Sequence, residues 1–254
     1  MTDSTRNSGA TKPRGFSSVD LSHPINKKLI SAYLFNDRSG NVIRDSSPRK
    51  NNLIATVQGT WRHDGLHRDT GTVAIEQARN ITLNGKVTVA CRVRRFGELD
   101  EYPELWSSNF GISAGKESSP NALTVRYDNR YSTNPGMASI WDEDWHDVFV
   151  VIDVDSPGSV VWIDGVENIG NNWISQPDTV TTGKMELDES VTFRSSVIFS
   201  YFCVWDRILN PYEIRDLTRD PYRIFKKNII QIPSPQIAVE GGNENPYSYY
   251  AQLQ

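Results

Sequence analysis

Glu98, Asp100, Glu101 and Glu104 form one short acidic stretch. On an extended backbone alternate residues share a face, so Glu98 and Asp100 can project side by side. That is the arrangement of acid and nucleophile in a retaining glycosidase, with the two carboxyl groups about 5 Å apart. Pro103, however, removes a backbone donor just before Glu104, where the third carboxylate of such a pattern comes too late. The stretch reads as an acidic loop after a strand. A second cluster, Asp142-Glu-Asp-Trp-His-Asp147, offers loop carboxylates of the kind calcium takes, but without a fixed ligand spacing. His63 and His67 stand beside Asp64 and Asp69, while His23 and His146 lie far apart in the chain. A histidine–carboxylate site is conceivable there, though solvated loop residues are the simpler reading. No serine elbow, phosphate loop or dinucleotide fingerprint occurs. The sequence therefore assigns no catalytic residue, no metal ligand and no cofactor, and the expectation is a protein that is not an enzyme.

Aromatic side chains open a different possibility. Trp61, Trp106, Trp141 and Trp173 fall in or beside loops. Exposed indoles could stack on sugars, whereas buried ones would plug the ends of a sandwich; the plug is the preferred reading. Cys91 and Cys203 sit in apolar runs and read as two buried free thiols, with a disulfide between them left open.

The elements that must position these residues are mostly strands. Lys86 to Arg95 alternates Val87, Val89, Cys91 and Val93 with Lys86, Thr88, Arg92 and Arg94, which predicts one buried and one wet face. Leu123 to Tyr127 and His146 to Asp155 repeat the pattern. Gly158 to Ile163 follows a Ser156-Pro157-Gly158 turn and closes at Asp164-Gly165, which predicts a hairpin. Ser196 to Trp205 predicts a long central strand. Leu29 to Phe35, Leu53 to Val57, Val73 to Ile75 and Ile81 to Leu83 add shorter ones. One helix stands out: Asn210 is a good N-cap, Pro211 suits the first position, Glu213 completes a capping box, and Asp220-Pro221 ends it.

This order of elements predicts an all-β, antiparallel jelly-roll sandwich over residues 29–225 with one short C-terminal helix. Residues 1–28, rich in Ser, Thr, Asn and Gly, read as an extended N-terminal arm, and 226–254 as an extended C-terminal tail. Ile229 to Ile237 is proline-interrupted, and Tyr247, Tyr249 and Tyr250 follow, so the tail either docks on a partner or packs back on its own domain. Apolar residues make up only 37%, which suits a chain part of which is not core. Net charge is -4, and the basic pairs Arg94-Arg95 and Lys226-Lys227 are too short for a concentrated basic face, so no nucleic-acid partner is expected. No run is long enough to span a membrane, and the N-terminus lacks the apolar region of a signal peptide, so synthesis in a cytoplasm is expected.

Leu29-Ile-Ser-Ala-Tyr-Leu-Phe-Asn-Asp-Arg-Ser-Gly-Asn41 resembles the opening strand and turn of laminin-G-like, concanavalin-type domains. Asp45-Ser-Ser with Asn51-Asn-Leu fits the next turn. Trp145-His146 and Val161-Trp-Ile-Asp-Gly165 resemble the central hairpin, and Tyr201-Phe-Cys-Val-Trp-Asp-Arg-Ile-Leu-Asn-Pro-Tyr-Glu-Ile214 the closing strand, turn and helix. The resemblance covers residues 29–225. Val19 to Ile25 and Arg219-Asp-Pro-Tyr-Arg-Ile-Phe225 look like single-domain members encoded by tailed bacteriophages. It implies a structural virion protein: a capsid decoration, head-fibre or tail-associated subunit that binds phage capsid or tail proteins through its arms, as a homo-oligomer. The alternative it implies is a carbohydrate-binding receptor module on the virion that recognises a host-surface glycan.

Overall fold

The computed structural model describes residues 12–13, 17–37, 39–55, 60–62, 65–68, 75–99, 104–108, 113–115, 122–127, 130–135, 138–173, 180–187 and 195–225. Two antiparallel sheets face each other. The first runs β15 (Val166–Asn172), β14 (Gly158–Ile163), β13 (His146–Asp153), β8 (Lys86–Leu99), β18 (Ser195–Trp205), β5 (Gly65–Arg68), β4 (Thr60–Arg62). The far edge of β18 is shared, with Val197 to Phe199 pairing β5 and Phe202 to Trp205 pairing β1 (Leu29–Tyr33). The second runs β12 (Arg130–Pro135), β11 (Ala122–Tyr127), β10 (Ser113–Gly115), β9 (Glu104–Ser108), β17 (Met185–Glu186), β6 (Ile75–Gln77), β3 (Leu53–Ala55), β2 (Val42–Ile43). A small ribbon pairs β16 (Thr181–Gly183) with β7 (Ile81–Leu83). The jelly-roll-like antiparallel β-sandwich expected from the sequence is what the chain forms.

The core between the sheets follows from strand alternation. Val87, Val89, Cys91 and Val93 of β8 meet Val148, Val150 and Ile152 of β13 there. The opposite face of the first sheet is not wet along its length, as the charged residues of β8 had suggested. Ala90, Phe149, Trp162, Tyr201 and Trp205 lie in a second buried cluster on that face. The helix α1 (Pro211–Arg219) covers it through Ile214 and Leu217. Each buried Trp removes on the order of 200 Å² from water, a gross stabilisation of about 5 kcal/mol.

Residues 17–28, expected as part of an extended arm, help to roof this second cluster. Val19 and Ile25 are buried in it, and Val19 forms a bridge with Phe225. Trp205 Nε1 donates to the Ile25 carbonyl at 2.8 Å, and Asn26 Nδ2 donates to the Ile224 carbonyl at 2.9 Å. The segment lacks strand periodicity yet carries the apolar residues that the sheet's outer face requires. Residues 1–11 and 226–254, the remaining parts of the expected arms, lie outside the described residues.

A register shift between Phe199 and Tyr201 flips the phase of β18. Val197 and Phe199 face the inner core, then Phe202 and Val204 do, which sends Tyr201, Cys203 and Trp205 outward. Cys91 and Cys203 are therefore on opposite faces of the sheet, and both are free and buried.

Candidate functional site

Among the described residues, Asp142, His146, Asp164, Asp147 and Arg92 form one ion network where β13 begins, with Asp147 and Arg92 on the outer face of the first sheet. His146 donates from Nδ1 to Asp164 Oδ2 and from Nε2 to Asp142 Oδ1, each at 2.8 Å. Two elements make this possible. The Asp164-Gly165 turn between β14 and β15 has both residues at positive φ, 51° and 82°, the geometry of a tight two-residue hairpin that an Asp-Gly pair favours. Asp142 is set by a local turn in which its Oδ1 also accepts from the Asp144 N–H at 2.7 Å. Burial alone would lower the His146 pKa, but hydrogen bonds and charge from Asp164 and Asp142 outweigh it and carry the group up to about 9. An imidazolium with both N–H groups engaged is a clamp, not a general base.

Asp147 follows His146 on β13 and projects to the opposite face of the strand. It receives Arg92 Nη1 at 2.6 Å and the Tyr201 hydroxyl at 3.1 Å, and its backbone N–H donates to Asp164 Oδ1 at 3.0 Å. Burial pushes its carboxyl up to about 7, against the pull of Arg92 and Tyr201 in the other direction. Asp164 goes the opposite way: burial would raise it, but the His146 hydrogen bond and the Asp147 N–H hold it below the usual carboxylate range.

Trp145 sits directly beside this network, with part of its ring in solvent. The guanidinium of Arg94 lies 5.1 Å from the ring centroid and that of Arg92 5.8 Å. Asp142, Glu143 and Asp144 are exposed around it. A partly exposed tryptophan packed on two guanidinium groups, with three exposed carboxylates just before it in the chain, is thus presented on the outer face of the sheet.

The residues singled out in the sequence are distributed differently. Trp106, Trp141 and Trp173 are 1%, 5% and 8% exposed and belong to the inter-sheet core, and Trp61 packs against it while donating to the Gly40 carbonyl at 2.9 Å. Trp106, Trp141 and Trp173 are plugs and not sugar platforms, whereas Trp61 is only partly buried. Glu98 and Glu104 fall on β8 and β9, and His67 on β5; Asp100, Glu101, His63, Asp64 and Asp69 lie outside the described residues. His23 caps a short 3-10 turn, its Nδ1 accepting from the Ile25 N–H. The acidic run at 142–147 is taken up by the clamp, and among the described residues no group of side chains could hold a metal ion. Trp145 itself was legible only as a strand-start residue, because nothing local in the sequence reveals Arg92 and Arg94 beneath it.

Asp45 was read in the sequence only as part of a turn with Asn51. Fully buried, it accepts from the backbone N–H groups of Ala32, Ser47 and Asn51 at 3.0, 2.8 and 2.8 Å. It fixes the loop between β2 and β3 and is structural.

No family model matches this chain, and neither does any curated protein. Solved structures do match. The receptor-binding domain of the botulinum neurotoxin C/D mosaic serotype aligns with a TM-score of 0.57 at 12% identity, over 76% of this chain and 51% of that one. The binding domain of botulinum neurotoxin serotype D aligns at 0.54 and 10%, over 77% and 52%. Trypanosoma rangeli sialidase in complex with sialic acid aligns at 0.55 and 15%, over 78% of this chain and 34% of the sialidase. The fold is shared. The chain spans between a third and about half of the length of these proteins, and at such identities the likeness is one of architecture.

Proposed function

We propose that this protein is a carbohydrate-binding receptor or adhesion module, with its sugar site at the Trp145 patch. The observation that carries this reading is the partly exposed indole lying against Arg92 and Arg94 and bordered by Asp142, Glu143 and Asp144. A pyranose has an apolar C–H face and a rim of hydroxyls. An indole suits the first, and carboxylates and guanidinium groups pair with the second. The likeness to neurotoxin receptor-binding domains and to a sialidase solved with sialic acid supports a recognition role over a purely structural one. Catalysis is not part of the reading. The test is a broad glycan array probed with the intact chain and with Trp145→Ala. A hit should weaken at least about tenfold, ~1.4 kcal/mol, in the variant while the thermal midpoint holds. No retained glycan on a broad array would reject the proposal.

A second reading, a subunit of a tailed-phage particle, is favoured by one feature. Val19 and Phe225, near the two ends of the described residues, pair side by side, which on this reading gives both arms attachment points at one place on the molecule. On this reading the module is displayed on the virion. Purified particles should carry it stoichiometrically, and removal of residues 229–254 should abolish incorporation. Particles that lack the intact protein altogether would rule this setting out.

A further inference from the structure

Trp145 lies inside a ring closed by its chain neighbours. The hydrogen bond from His146 Nε2 to Asp142 Oδ1 joins the residue after Trp145 to the one three before it, and the Asp144 N–H donates to the same oxygen. The second imidazole nitrogen ties this ring to the turn between β14 and β15, at Asp164 Oδ2. Asp164 is held twice, since its Oδ1 accepts the Asp147 N–H at 3.0 Å. The Asp142 side chain is 52% exposed, against 38% for Asp164. A further tie is loose: Glu143 Oε1 stands 3.6 Å from Arg95 Nη2 with its side chain 77% exposed, and such surface pairs hold weakly. Trp145 itself rests on Arg92 and Arg94, whose guanidinium groups lie 5.8 and 5.1 Å from its ring centroid.

Only an imidazolium can donate from both nitrogens. Once neutral, His146 keeps one N–H and turns a lone pair toward the other carboxylate, and two acceptors 2.8 Å apart repel. Asp164 stays fixed by the Asp147 N–H and so keeps the remaining donor. Asp142, the more exposed of the two, goes into water, and the ring opens. We propose that the His146–Asp142 hydrogen bond is a latch that holds Trp145 in its sugar-binding position. On the Trp145 reading, on which this rests, His146 is a positioning residue that need not touch the ligand. The charged groups around it are Asp142 on its own loop, Asp164 on the hairpin turn, Asp147 beside it on β13 and Arg92 across on β8. Asp142 and Asp164 keep the imidazole charged up to about 9, whereas the Asp147 carboxyl titrates at about 7. The latch therefore opens as pH rises through about 9, separately from Asp147.

The test labels the full chain with 5-fluorotryptophan and follows the Trp145 fluorine resonance, identified by its absence from Trp145→Phe, from neutral to alkaline pH. The resonance should shift with a midpoint at about 9, a readout that needs no other variant to fold. His146→Gln should hold it at its alkaline position at every pH. Asp142→Asn should hold it at its neutral position throughout, because a carboxamide can accept from the Asp144 N–H and donate to a neutral imidazole. A glycan retained on the array should bind at least about tenfold more weakly above the same midpoint. A resonance that stays in place through about 9, or that moves in His146→Gln as it does in the intact chain, overturns the latch. A glycan affinity that stays level while the resonance moves overturns the role of the latch in recognition. A resonance that behaves as expected in a chain that binds no glycan rejects the sugar reading and supports the latch on its own.

Discussion

An imidazole gripped by a carboxylate at each nitrogen has a predictable pH signature. His146 titrates near 6.5 in the unfolded chain and at about 9 in the fold, so its stabilising contribution is fully present below 6.5 and is lost as pH rises through about 9. Asp147 acts in the same direction at lower pH. Its carboxyl is raised from 3.8 to about 7, so the native state holds a proton that the unfolded state releases, and stability falls as pH climbs through that window. Asp164, held low, opposes this only in acid, where its contribution is lost as pH falls. The thermal midpoint should therefore decline between pH 6.5 and 9, and His146→Gln should be less stable by about 1–3 kcal/mol at neutral pH and lose that decline. A variant that keeps the full decline would show that another group is responsible. None of this clamp was legible from residue types alone. The acidic run suggested calcium because its partners, His146 apart, arrive from Asp164 and Arg92 on other strands. The plug preferred for the tryptophans is what the structure has at Trp106, Trp141 and Trp173, which are buried in the core.

Among elements, legibility tracked length and one-sidedness. β8, β13 and α1 were evident because several residues repeat a period. β2, β16 and β17 are two or three residues long and contain no period to read. β15, Val-Glu-Asn-Ile-Gly-Asn-Asn, is mostly exposed, Val166 and Ile169 included, and it is held by pairing to β14 and by a seam to β12. In that seam Ser132 Oγ donates to the Asn171 carbonyl at 2.5 Å and accepts from the Ser159 N–H at 3.2 Å. A Cβ on Gly170 would lie 2.5 Å from Ser132 Oγ and 2.9 Å from the Ser159 carbonyl oxygen. Gly170→Ala should lower the urea unfolding midpoint by the equivalent of about 1–3 kcal/mol, and an unchanged midpoint would mean the seam opens freely. The helix shows the opposite case, where local sequence was enough. Asn210 accepts from the Glu213 N–H and Glu213 returns the bond to the Asn210 N–H, while the same carboxylate takes two 2.8 Å bonds from Arg207. Arg207 in turn reaches the Ile25 and Lys27 carbonyls, so one side chain joins the helix to the N-terminal segment.

At the scale of the molecule, the antiparallel sandwich was readable, but its third layer was not. Residues 17–28, α1 and the turn up to Phe225 together roof the outer face, and no periodicity announces a layer assembled from two chain ends. Its consequence for truncation is direct. Removing residues 1–11 should leave the thermal midpoint in place, whereas removing 1–24 strips Val19 from the outer cluster, together with the Asp20 N–H bond to Ile224, and should lower it by several degrees. Equal midpoints for the two truncations would show that the roof does not stabilise the sheet. The two cysteines extend this idea. Cys203 lies beneath the roof and Cys91 between the sheets, each raised in pKa by burial and so inert to alkylation while covered. Each thiol is thus a native clock for its own layer: lifting the roof would start the Cys203 clock alone, and only parting the sheets would start the other.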